Sequence, residues 1–88
     1  YRRLHPKQKR YQELEQLLEA NLERQTELEQ RLADPSTYEQ ADQALAANQE
    51  YEEARRWGEQ LMEEMAELEE GMAHIREEQD KLRDAGGD

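Results

Sequence analysis

The chain has 88 residues, with 12 lysines and arginines against 23 aspartates and glutamates, a net charge of −11 and no cysteine. That length limits it to one small domain, and the missing thiols exclude a disulfide framework and a thiolate zinc site. No apolar run approaches the roughly 20 residues that span a bilayer, no signal-peptide pattern opens the chain, and a composition rich in Leu, Ala, Glu, Gln and Arg favours long helices.

Residues 1–10 carry Arg2, Arg3, Lys7, Lys9 and Arg10 and no acid, a local balance of +5, against −16 for residues 11–88. They read as a basic lead-in segment. With Tyr1 and Tyr11 nearby, these five bases suit the phosphates and stacked bases of RNA or DNA. Equally, they suit a charged connection between domains of a larger chain.

A first helix is predicted over 7–33. Spacings of three and four pick out Tyr11, Leu14, Leu18, Asn21, Gln25, Leu28 and Leu32 as a coiled-coil seam. Leu17 and Leu22 are expected to widen the apolar stripe. Asn21 and Gln25 read as a polar layer that sets register rather than as a ligand site.

The turn is expected at 33–35. Pro35 clashes inside a helix but fits its first position, and Asp34 before it is a natural N-cap. A reversal this tight makes an antiparallel hairpin. The second helix is predicted over 35–84, with residues 85–88 as a glycine-ended tail. Its seam runs through Ala54, Gly58, Leu61, Met65, Leu68, Met72, Ile75, Gln79 and Leu82. Tyr38, Ala41, Leu45 and Asn48 fall in another phase, which implies a heptad discontinuity between Asn48 and Tyr51.

The two helices are unequal, about 40 Å against about 70 Å at the usual rise per residue. The far part of the second helix must therefore overhang, fold back at Gly58 or Gly71, or pair with another chain through 65–82.

Little points to catalysis. His5 and His74 are far apart, and His74 has Gly71 three residues before it, where a bundle di-iron motif needs Glu. Glu70 and His74, four apart, could share a metal but read rather as a solvated acid beside a solvated imidazole. No phosphate loop and no nucleophile beside a base is present. No cofactor and no metal is expected, and the fragment is read as non-enzymatic. Trp57, one residue off the seam, is either a flank covering the Leu61 layer or a docking anchor. Met65 and Met72 keep heptad spacing and read as core, while Met62 belongs to a more adaptable surface.

The run Leu32-Ala33-Asp34-Pro35-Ser36-Thr37-Tyr38, between a shorter Glu/Leu/Gln-rich helix and a longer Glu/Ala-rich one, resembles the C-terminal domain of F-type ATP-binding-cassette proteins. Arg3-Leu4-His5-Pro6-Lys7 and Tyr51-Glu52-Glu53-Ala54 stand where that family has its entry motif and its mid-helix tyrosine. His5-Pro6 replaces the family's Ser-Tyr, Trp57 lies earlier than the usual tryptophan, and 71–88 exceed the typical end. The resemblance implies an antiparallel coiled-coil hairpin belonging to a cytoplasmic tandem ATPase (the Uup-like branch among them) that acts in translation. The hairpin would then contribute RNA, DNA or ribosome contacts. A similar Asp-Pro turn occurs in the helical domain of peptide chain release factors, the nearest rival.

The fold expected is thus all-α, an antiparallel two-helix coiled-coil hairpin without membrane contact. Glu15, Glu19, Glu23 and Glu27 lie four apart, as do Glu59, Glu63 and Glu67, and such like-charge stripes weaken a helix. Helicity and thermal midpoint should rise with added salt or mild acid. Circular dichroism melts at low and high ionic strength check this, and an unchanged midpoint would contradict it.

Overall fold

The computed structural model describes residues 2–86. Helix α1 spans Leu4–Ala33, a 3-10 helix spans Pro35–Glu39, and helix α2 spans Ala41–Gly86. The two long helices pack antiparallel into a rod 74 Å long and 16 × 14 Å across. Neither helix is apolar enough along its length to cross a membrane.

Helix α1 begins three residues earlier than expected. His5 and Pro6 occupy its first turn, where the backbone N–H groups have no intrahelical acceptor and proline removes nothing. Leu4–Arg10 therefore belong to the helix rather than to a separate lead-in. Tyr1 lies outside the described residues.

At the other end, Pro35 opens a single 3-10 turn rather than the second long helix. The Asp34 carboxylate accepts from the Ser36 N–H at 3.0 Å. Two hydroxyls then turn back onto α1: Thr37 Oγ1 donates to the Arg31 carbonyl at 2.6 Å and Tyr38 Oη to the Leu32 carbonyl at 2.7 Å. These bonds satisfy carbonyls left open at the helix end. They also hold Ser36–Tyr38 in a local arrangement that competes with continued α-helix. The chain passes through extended Gln40, whose carbonyl accepts from the Gln43 and Ala44 N–H groups, and α2 starts at Ala41.

Helix α2 is one piece of 46 residues, unbroken at Gly58 and Gly71, and continues past 84 to Gly86. Gly87 and Asp88, the rest of the expected tail, lie outside the described residues. Its inward face is Ala44, Ala47, Tyr51, Ala54, Gly58, Leu61, Met65, Leu68, Met72 and Ile75, all buried or half-buried at strict alternation of three and four. The expected discontinuity is therefore absent. Tyr38, Ala41, Leu45 and Asn48 are exposed, and two small alanines carry the seam instead. On α1 the expected seam holds and extends upstream to Leu4 and Lys7. Leu17 and Leu22 lie off it and are exposed.

A polar layer interrupts the apolar seam at mid-length. Asn21 Nδ2 donates to the Ala54 carbonyl at 2.9 Å, and Gln25 Nε2 donates to Asn21 Oδ1 at 2.7 Å. Gly58 faces this pair, and a Cβ there would sit 2.6 Å from Asn21 Oδ1. With Asn21 opposite Gly58, the heptads place Leu18 opposite Leu61, Leu14 opposite Met65 and Leu4 opposite Ile75. The 30 residues of α1 thus cover positions 46–75 of α2. The 3-10 turn packs against α2, and 76–86 extend past the start of α1. The stretch Met65–Ile75, expected to be unpaired, is core.

Replacing Gly58 by alanine gains about 1 kcal/mol of helix propensity but displaces the Asn21 amide, whose bond contributes about 0.5–1.5 kcal/mol. Gly58→Ala should leave the protein no more stable. In an Asn21→Ala, Gln25→Ala background the same change should stabilise by about 1 kcal/mol. Urea unfolding of the four proteins reads the coupling, and equal effects in both backgrounds would refute the layer.

Candidate functional site

The grooves among the described residues are shallow and open to solvent, so the functional geometry lies in the two flanks and the two ends of the rod. Positions just before each a residue (g) line one flank, and positions just after each d residue (e) line the other.

The g flank carries a ladder at heptad intervals. Arg10 donates to both oxygens of Glu64, at 3.2 and 3.1 Å, and also reaches Glu13 at 3.4 Å. Arg24 donates to Glu50 at 2.6 Å and to Glu27 at 3.0 Å. Each guanidinium therefore clamps one carboxylate of its own helix and one of the other, and both hold their protons more firmly than usual, chiefly through those hydrogen bonds. Midway between the clamps stand Leu17 on α1 and Trp57 on α2. They wall a shallow groove floored by Ala20 and Ala54, with Glu53, whose carboxylate has no ion-pair partner among the described residues, on its rim. Leu17 remains 42 % and Trp57 47 % exposed. Trp57 thus stands beside the seam as expected, with half its surface in solvent.

The e flank is tied differently. Tyr11 donates to Glu69 at 2.5 Å and Tyr51 to Glu29 at 2.9 Å. Both phenols lose their protons less readily than usual, first because of these bonds and then through desolvation. Leu22 and Met62 are exposed on this flank.

The five basic residues of the first ten do not act as one patch. Arg3 pairs with Glu78 at 2.7 Å, Arg10 is in the clamp, and the Lys7 side chain lies against Gly71 on the seam. Arg2 and Lys9 have no ion-pair partner among the described residues. The sequence reading missed this because it treated the lead-in as separate from the hairpin. The heptad count was the signal available, since it sets g-position Arg10 against g-position Glu64. Within each helix, Glu27 pairs with Arg24 at 3.0 Å, Glu52 with Arg55 at 4.0 Å and Glu77 with Lys81 at 3.8 Å.

His74 pairs with Glu78 at 3.0 Å rather than with Glu70. Among the described residues no three side chains converge as metal ligands do. Compared with known proteins, the chain matches no family model, no curated protein and no solved structure.

Glu78 receives both Arg3 and His74, and the Arg3 hydrogen bond and charge hold its carboxyl below the usual glutamate range. The unfolded chain binds this proton more tightly than the folded one. The contact's stabilisation is therefore complete above the ordinary glutamate range and is lost as pH falls through the lower folded value. Carboxyl carbon NMR should show Glu78 titrating below the ordinary glutamate range, and Arg3→Gln should move it back up. An unmoved midpoint would remove the Arg3 contact.

Proposed function

We propose that the chain is a non-catalytic interaction arm of a larger protein, an accessory coiled-coil hairpin of the F-type ATP-binding-cassette kind. In this reading it serves a cytoplasmic ATPase of translation or nucleic-acid binding. The reading rests on the closing turn. Asp34, Thr37 and Tyr38, three of the residues that carry the resemblance, make the bonds that end α1 and reverse the chain. A rod whose buried side chains meet only each other leaves its ends and flanks to act, which suits docking rather than chemistry.

Contact with RNA, DNA or the ribosome would fall at the end opposite the turn, where Arg2 and Lys9 have no ion-pair partner among the described residues and where the acidic rod interferes least. Self-association through 65–82 is less favoured. Met65, Leu68, Met72 and Ile75 are used inside the hairpin, and of that seam only Gln79 and Leu82 remain uncovered.

Fluorescence anisotropy with a labelled single strand and a labelled RNA hairpin tests this role. Affinity should fall steeply with salt, and Arg2→Glu with Lys9→Glu should lower the salt slope by about one per charge. Undetectable binding at low salt would reject nucleic acid as the partner. Sedimentation equilibrium at tens of micromolar (on the order of the range where weak coiled coils associate) should give a monomer.

A further inference from the structure

We propose that the g-flank groove between Leu17 and Trp57 docks a cationic amphipathic helical segment of a protein partner. This surface is separate from the basic end and does not depend on nucleic-acid binding there.

Three observations converge. The first is shape. Ala20 and Ala54 supply a floor low enough for a bulky apolar side chain, while Leu17 and Trp57 supply the walls. Tryptophan in this setting is the residue type that most often carries interface energy. Second comes length. The groove's lining runs from Leu17 to Arg24 on α1 and from Glu50 to Trp57 on α2, about 10 Å or two helical turns on each, and ends at the Arg24–Glu50 clamp. A helix laid there presents side chains three and four apart to the apolar walls, as helix-in-groove partners do.

Charge then decides between occupants. The outward c and g positions of this flank, from Arg10 to Glu27 and from Glu50 to Glu67, hold two arginines against six glutamates. Both arginines are already clamped by two carboxylates each, so the surplus that an incoming partner meets is negative. Glu53 stands at the groove itself, with no ion-pair partner among the described residues. Lysines or arginines beside an apolar anchor would find these carboxylates within reach. A second copy would bring the same acidic flank, and a further −11, against the first. Nucleic acid meets the same repulsion.

Trp57 is the chain's one tryptophan and reports directly on the groove. The probes are tryptophan-free synthetic peptides of about 15 residues, enough for about four turns. One has leucine at every third or fourth position and lysine elsewhere. A second replaces leucine by serine, and a third replaces lysine by glutamate. The Leu/Lys peptide should shift Trp57 emission to the blue in a saturable way. Its affinity should fall about tenfold between about 50 and about 300 mM salt. Leu17→Glu and Glu53→Lys should each weaken it by about fivefold or more. Leu22→Glu, on the opposite flank, should leave it unchanged, and circular dichroism should show all three variants helical.

The proposal is overturned by any of four results. The first is a Ser/Lys or Leu/Glu peptide that binds as well as the Leu/Lys one. Another is Leu22→Glu weakening binding as much as Leu17→Glu. The third is a blue shift that grows with hairpin concentration alone, which would make a second copy the occupant. Absence of a saturable shift at millimolar peptide overturns it as well.

Discussion

The contact between Asn21 and Gly58 sets the register of the whole hairpin. A buried carboxamide must keep its hydrogen bonds or lose about 1–3 kcal/mol. Asn21 keeps them by reaching the backbone carbonyl of Ala54 and by accepting from Gln25. The reach works only because Gly58 has no Cβ, so the helices approach closely at that level. Sliding one helix by a heptad would bury the carboxamide against an apolar residue and place Gly58 opposite a leucine, a double loss. The apolar layers on either side tolerate such a slip far better, since leucine meets leucine in several registers. Register then fixes the rest: which arginine meets which glutamate, where α1 stops covering α2, and which residues flank the groove.

Around this layer the cross-helix polar contacts are arranged with near two-fold regularity. Arg10–Glu64 and Arg24–Glu50 straddle the Leu17–Trp57 level on one flank. Tyr11–Glu69 and Glu29–Tyr51 straddle the same level on the other. Exposed pairs of this kind stabilise little individually. Their effect is on choice: each lies at the spacing one register provides, so together they penalise the others. Arg10 and Arg24 are each placed between carboxylates from two helices, the arrangement that relieves the most repulsion per cation.

The fold was legible where residue type and position coincide. The α1 seam was readable because leucines and one asparagine keep strict spacing, and the reversal because Asp34-Pro35 has one good use. Gly58 on the seam signalled close approach. The upper part of α2 was not readable. Ala44 and Ala47 carry the seam there, and alanine in a helix says nothing about which way it faces. Leu45, larger and 59 % exposed, drew the pattern into the wrong phase. The turn misled for a related reason. Pro35 marks where a helix starts without saying whether it is α or 3-10, and that choice belongs to the Thr37 and Tyr38 hydroxyls. At the candidate site, Trp57 is visible in the sequence as a flank, while its partner Leu17 reads as a widening of the apolar stripe and is 42 % exposed. A residue one step from the seam is buried or exposed according to the bulk of its neighbour across the flank, which only the register reveals.

The net charge acquires a different meaning from this geometry. A +5 lead-in ahead of a −16 rod looks like two separable parts, one for phosphates and one for solvent. Once α1 begins at Leu4, the lead-in runs alongside the most acidic stretch of α2, and Arg3 and Arg10 are drawn to Glu78 and Glu64. A phosphate backbone approaching this end would have to compete with carboxylates already in place, while it would meet Arg2 and Lys9 without that competition. Cationic protein segments face the opposite situation along the g flank, where the carboxylates outnumber the arginines that hold them and an apolar pair waits between. Uncompensated charges of either sign thus lie at different levels of one rod, and it is the pairing register, rather than the total charge, that sets where each is left.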